Sequence, residues 1–139
     1  MTFANRGFFA ALLLCLTAPL GAVDLVVNES VPLDTLSRSA VRSIFSMRTT
    51  SWPDGKPIQV FVMGDRTELH ATFSKEILGV FPHQLRRAWN RQIFTGTGQA
   101  PAKVETEREM LDRITNTPGA IGYISEELIN EQIRKIAVE

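Results

Sequence analysis

Arg86, Arg87 and Arg91 gather positive charge along one stretch of this chain, with Trp89 among them, and such a face can meet an acidic partner or an anionic ligand. Spacing also gives Trp89 a plainer reading. It shares a four-residue stripe with Leu85 and Ile93, which assigns it to the core and leaves the arginines on a solvated face. The only histidines, His70 and His83, fall on separate segments with no cysteine nearby and no second histidine at metal-ligand spacing, so no metal site is expected. Glu105, Glu107, Glu109 and Asp112 form one acidic helix face and Glu126 with Glu127 another. Both read as solvated helix starts, because paired catalytic carboxylates need buried, unequal surroundings. Ser37, Ser39 and Ser43 lie around a helix without a glycine-framed nucleophile turn, and Gly96 with Gly98 lacks the rest of a dinucleotide fingerprint or phosphate loop. Nothing in the sequence names a catalytic nucleophile, acid or base, and no cofactor is implied.

The elements that must carry these residues alternate between strand and helix. Val23, Leu25 and Val27 alternate with Asp24 and Asn28, while Val26 breaks the polar side, as in a strand buried on one face and partly covered on the other. Ser37 is placed to cap a helix bearing Ala40, Val41, Ile44 and Phe45, and Trp52-Pro53-Asp54-Gly55 is a turn. Ile58 to Met63 fits a strand. Thr67 then caps a helix with Leu69, Phe73 and Ile77 on one side, and Pro82 opens the helix of Leu85, Trp89 and Ile93. Thr106 and Glu109 form a capping-box pattern for a helix with Met110, Leu111 and Ile114, which Pro118 and Gly119 stop. Ala120 to Ile124 reads as a strand, Ser125 caps a short acidic helix, and Ile136 with Val138 marks a final strand. The alternation predicts an α/β layer fold with a largely parallel sheet.

Residues 1–22 have the layout of a secretory signal: Arg6 in a polar start, an apolar run from Gly7 to Leu20, then Gly21 and Ala22. The run is too short for a stable membrane span, and cleavage after Ala22 takes the chain from 139 residues to 117, read as one domain over 23–139. Cys15, the one cysteine, lies within the signal, so the exported chain forms no disulfide and depends on its core. Removing Arg6 leaves 14 basic against 15 acidic residues, a net charge near −1, which argues against a general nucleic-acid or anionic-membrane binder.

The order of the Ile44-Phe45 helix end, Trp52, the Ile58 to Val62 strand, Phe73 and Gly119 to Tyr123 resembles the second domain of the periplasmic substrate-binding protein that feeds phosphate to an ABC transporter. Trp89 and Phe94-Thr95-Gly96 are similar to a stretch of short single-domain members of that family. The resemblance implies a type 2 periplasmic-binding-protein-like half: a single three-layer α/β domain whose small, mostly parallel sheet is flanked by helices. It also implies an exported, periplasmic, non-enzymatic protein that recognises phosphate or a related small oxyanion for transport or sensing. In the family an arginine at the strand end and a Ser-Gly-Thr triplet at the next helix start hold phosphate. Aligned on Phe73, those positions are Met63 and Thr67-Glu68-Leu69 in this chain.

Thr67 therefore keeps a hydroxyl at the helix start, and Arg66 beside it can return a positive charge to the anion; these two are the expected ligand contacts. Glu68 works against them, since two unit charges about 4 Å apart at an effective dielectric near 20 repel by roughly 4 kcal/mol. Met63, Glu68 and Leu69 favour the alternative, an accessory module with no solute that partners an envelope transporter or sensor. The first domain's ligand groups are absent, so an enclosed cleft requires a homodimer or a second protein.

Overall fold

The computed structural model describes residues 22–96 and 98–139. The expected signal, apart from Ala22, lies outside the described residues, as does Thr97. Strand β1, Val23–Asn28, opens the domain, and β2, Thr35–Leu36, precedes helix α1, Arg38–Phe45. Ser37 caps α1 by accepting from the Ala40 amide at 3.0 Å. After the Trp52–Gly55 turn comes β3, Gln59–Met63, and then α2, Glu68–Phe73, which runs on as a π-helical turn over Ser74–Leu78. Helix α3, Pro82–Phe94, leads to β4, Ala102–Val104, and α4, Glu107–Asn116. Strand β5, Ala120–Ser125, a 3-10 turn over Glu126–Leu128, and the short strands β6, Ile133–Lys135, and β7, Ala137–Val138, complete the described chain.

The main sheet has the order β4-β3-β5-β1-β6. Strand β3 pairs in parallel with both β4 and β5, whereas β1 is antiparallel to β5 and to β6. Four strands thus share one direction and β1 alone opposes them, the mostly parallel α/β sheet expected. Strands β2 and β7 pair separately, in parallel.

Strand β5 shows how the three layers join. Successive side chains of a strand point to opposite faces, and here they meet different helices. A Cβ on Gly122 would lie 2.6 Å from Met110 Sδ and 2.7 Å from Ile114 Cδ1, so its face is filled by α4. Tyr123 turns the other way, stacking on Phe73 with ring centroids 4.0 Å apart, while Phe45 lies 4.7 Å from Phe73. One face of the sheet therefore carries α4 and the other carries α1 and α2.

Some expectations need correction. The second face of β1, expected to be partly covered, is buried as fully as the first; Asp24 is held there by Lys135 Nζ at 3.0 Å, and Asn28 donates to the Ile114 carbonyl at 2.7 Å. Trp89 is core as expected, its Nε1 donating to the Phe45 carbonyl at 2.7 Å, but Ile93 on the same stripe is exposed because α3 has left the core by its last turn. The expected final strand is two short ones with Ile136 buried between them. Among the described residues, no helix is long and apolar enough to cross a membrane.

Candidate functional site

Beyond Met63 the chain turns through Gly64, Asp65 and Arg66 into Thr67, the N-cap of α2. Thr67 uses its hydroxyl fully: Oγ1 donates to the Gly64 carbonyl at 2.7 Å and accepts from the His70 amide at 3.4 Å. The turn is pinned by its own cap. Arg66 is exposed, and Glu68, also exposed, stands in the first turn of α2.

Tyr123 reaches this turn from β5. Its hydroxyl accepts from the Met63 amide at 2.8 Å and lies 2.5 Å from His70 Nδ1. Burial raises the Tyr123 phenol above its ordinary pKa and lowers that of His70, so both groups are neutral. A buried O–H needs an acceptor, and Nδ1 is the one offered. The imidazole hydrogen then belongs on Nε2, an assignment made from this network. That donor is fully buried, has no hydrogen-bond partner among the described residues, and sits 3.6 Å from Asp65 Oδ1. The other carboxylate oxygen, Oδ2, is ion-paired with Arg86, whose side chain is 58% exposed against 19% for Asp65.

A cavity of about 440 Å³ opens here, lined by Gly64, Asp65, Arg86, Trp89 and Lys103 among others. Lys103 of β4 stands opposite Val62 of β3, and its Cε would lie 3.2 Å from a Cβ on Gly64. A bare glycine lets the lysine lie across the strand end. In open α/β sheets, ligands bind outside the carboxyl ends of the strands, and this cavity adjoins that end of β3.

Arg66 and Thr67, the two residues expected to touch ligand, directly follow the cavity-lining Asp65, but Thr67 has committed its one hydrogen to Gly64. Of the basic face on α3, Arg86 enters the cavity, while Arg87 and Arg91 are exposed. Asp65 and Lys103 escaped the reading of the sequence. The length of β4 hid Lys103, since three residues give too little alternation to mark a strand. Asp65 had a local signal, as the acidic residue between the strand end and the cap. The acidic faces are structural or solvated: Glu107 accepts from the Ser125 amide at 2.7 Å and Glu109 from the Glu105 amide at 2.9 Å. Among the described residues, no three His, Cys, Asp or Glu side chains gather as metal ligands would.

The PBP superfamily domain model matches residues 16–137. No curated protein matches the chain. Among solved structures, an ABC-type phosphate transport receptor from Vibrio cholerae is 17% identical, with a TM-score of 0.65 over 85% of this chain and 46% of that one. A protein from Clostridium perfringens, assigned as a phosphate ABC transporter substrate-binding protein and solved with bound phosphate, is 20% identical, with a TM-score of 0.67 over 85% of this chain and 45% of that one. PstS from Borrelia burgdorferi is 14% identical, with a TM-score of 0.67 over 86% and 47%. At these identities the likeness is one of fold, and the chain spans less than half the length of each of those structures.

Proposed function

Because the chain belongs to the PBP superfamily domain family, we propose that it is an exported, non-enzymatic solute-binding domain of the periplasm that recognises phosphate or a related small oxyanion for transport or sensing. One observation carries this reading: the cavity beside the carboxyl end of β3 gathers Arg86 and Lys103 next to the Gly64–Asp65 backbone. With Arg66 the strand end has three cations against the carboxylates of Asp65 and Glu68, an excess of one positive charge. An oxyanion can take charge-assisted hydrogen bonds from the guanidiniums while Lys103 supplies a point charge. Thr67 serves by position, tying Gly64 and His70 together so that the turn keeps its shape. The likeness in fold to the phosphate-bound Clostridium perfringens protein supports the same ligand class.

Calorimetric titration with phosphate and sulfate at constant ionic strength tests the reading. Lys103→Ala and Arg66→Ala should each weaken binding roughly fivefold, equivalent to about 1 kcal/mol. Equal affinity in both variants and the parent would remove these cations from the site. The alternative, an accessory module without a solute, draws on the Asp65–Arg86 pair, in which a carboxylate of the protein already satisfies the cation. That reading expects no heat from any oxyanion.

A further inference from the structure

We propose that Asp65 is the site's own competitor for Arg86, and that its carboxylate passes to His70 Nε2 when an oxyanion takes the guanidinium. The inference rests on the oxyanion reading above and adds the regulation of that site. Asp65 stands between two donors of different character. On one side is Arg86, more than half exposed and able to keep water as a partner when the carboxylate leaves. On the other is His70 Nε2, wholly buried and without a hydrogen-bond partner among the described residues.

A buried donor left idle is costly, so the imidazole pulls on the nearest carboxylate oxygen. That oxygen is 3.6 Å away, and closing by roughly 0.7 Å brings it to an ordinary N–H···O distance. The ring does not turn to meet it. Tyr123 fixes Nδ1 as the acceptor and is itself fixed by the Met63 amide, so the ring keeps Nε2–H at the edge near Asp65 Oδ1. A small movement of one side chain therefore exchanges an ion pair exposed on its arginine side for a buried hydrogen bond and frees Arg86 for the ligand. An anion able to complete the exchange must outcompete a carboxylate for a guanidinium. Oxyanions with two oxygens to offer Arg86 are favoured over halides for that reason.

Two measurements on the full chain test this. Asp65→Asn keeps the side chain's shape but cannot hold Arg86 as an ion, so phosphate binding by calorimetry should tighten about tenfold, or ~1.4 kcal/mol. Arg86→Gln, with no ligand added, should release Asp65 to the imidazole, moving the His70 Nε2–H proton resonance downfield and slowing its exchange. Phosphate binding that is unchanged or weaker in Asp65→Asn overturns the inference while leaving the oxyanion reading intact. An unmoved His70 resonance in Arg86→Gln also overturns it, independently of any ligand. Binding by Asp65→Asn alone supports it most directly. Absence of binding in both Asp65→Asn and the parent protein removes the oxyanion reading, and the competitor role with it.

Discussion

His70 is a neutral histidine whose charge the fold opposes, and this makes a prediction about acid. Burial lowers its pKa from 6.5. Below that value the unfolded chain takes up a proton that the folded chain declines, so stability is full above the unfolded pKa and falls as pH drops through it. The contribution is at most about 1.4 kcal/mol per pH unit until the folded-state pKa is reached. Urea unfolding at pH 7.5 and 5.5 should show this loss in the parent protein and a smaller one in His70→Gln; equal losses would place the acid sensitivity elsewhere. Thr67 makes a different prediction. Thr67→Ala removes the acceptor for the His70 amide and the donor to Gly64, and should cost about 1 kcal/mol of stability. Oxyanion affinity should change little, because the hydroxyl is engaged within the turn. A large loss of affinity at full stability would make Thr67 a direct ligand contact. The cap was legible in the sequence because it is local, a threonine before a helical pattern. The group it serves was not, since Tyr123 lies far along the chain from Met63 and nothing in the spacing announces that their atoms meet.

Glycines decide how closely the elements pack. Gly119 has φ +75°, and a Cβ there would lie 2.4 Å from the Pro57 carbonyl oxygen, so Gly119→Ala should cost about 3 kcal/mol or more. Gly122→Ala is crowded by the flexible ends of Met110 and Ile114, with the Phe61 carbonyl oxygen at an ordinary 3.5 Å, and about 1–3 kcal/mol is expected. Chemical denaturation of the two variants checks the order, and a milder effect at Gly119 would contradict the backbone clash. Strong local signals made most elements readable. Ser37, Thr67 and Thr106 each precede an amphipathic helix and each caps it, with Thr106 accepting from the Glu109 amide at 3.0 Å. Where signals were weak or tertiary, the reading lost detail. The expected helical stripe of Leu69, Phe73 and Ile77 changes pitch at Ser74, whose hydroxyl donates to the Val80 carbonyl at 2.6 Å within a π-helical turn. Ile93 fits the period of α3 but not its packing, because periodicity describes a face of the helix and cannot say how far the core extends along it.

As a whole the chain is a sheet with helices on both faces and a cavity open at the end of β3. It spans less than half the length of the solved structures that share its fold. An open site leaves its cations screened by salt, and phosphate affinity should fall as sodium chloride is raised from 0.01 to 0.15 M, the Debye length shrinking from about 30 to 8 Å. Salt-independent binding would place the ligand in a buried site instead. The most direct test of the central claim is thermal unfolding of the protein at matched ionic strength with phosphate, sulfate, arsenate or molybdate. At about 100 times its dissociation constant an oxyanion ligand adds roughly 2.7 kcal/mol, a rise of several degrees for a chain this size. A selective rise with one of these anions is the predicted result; a cooperative transition that none of them moves would contradict the claim that this domain binds a small oxyanion.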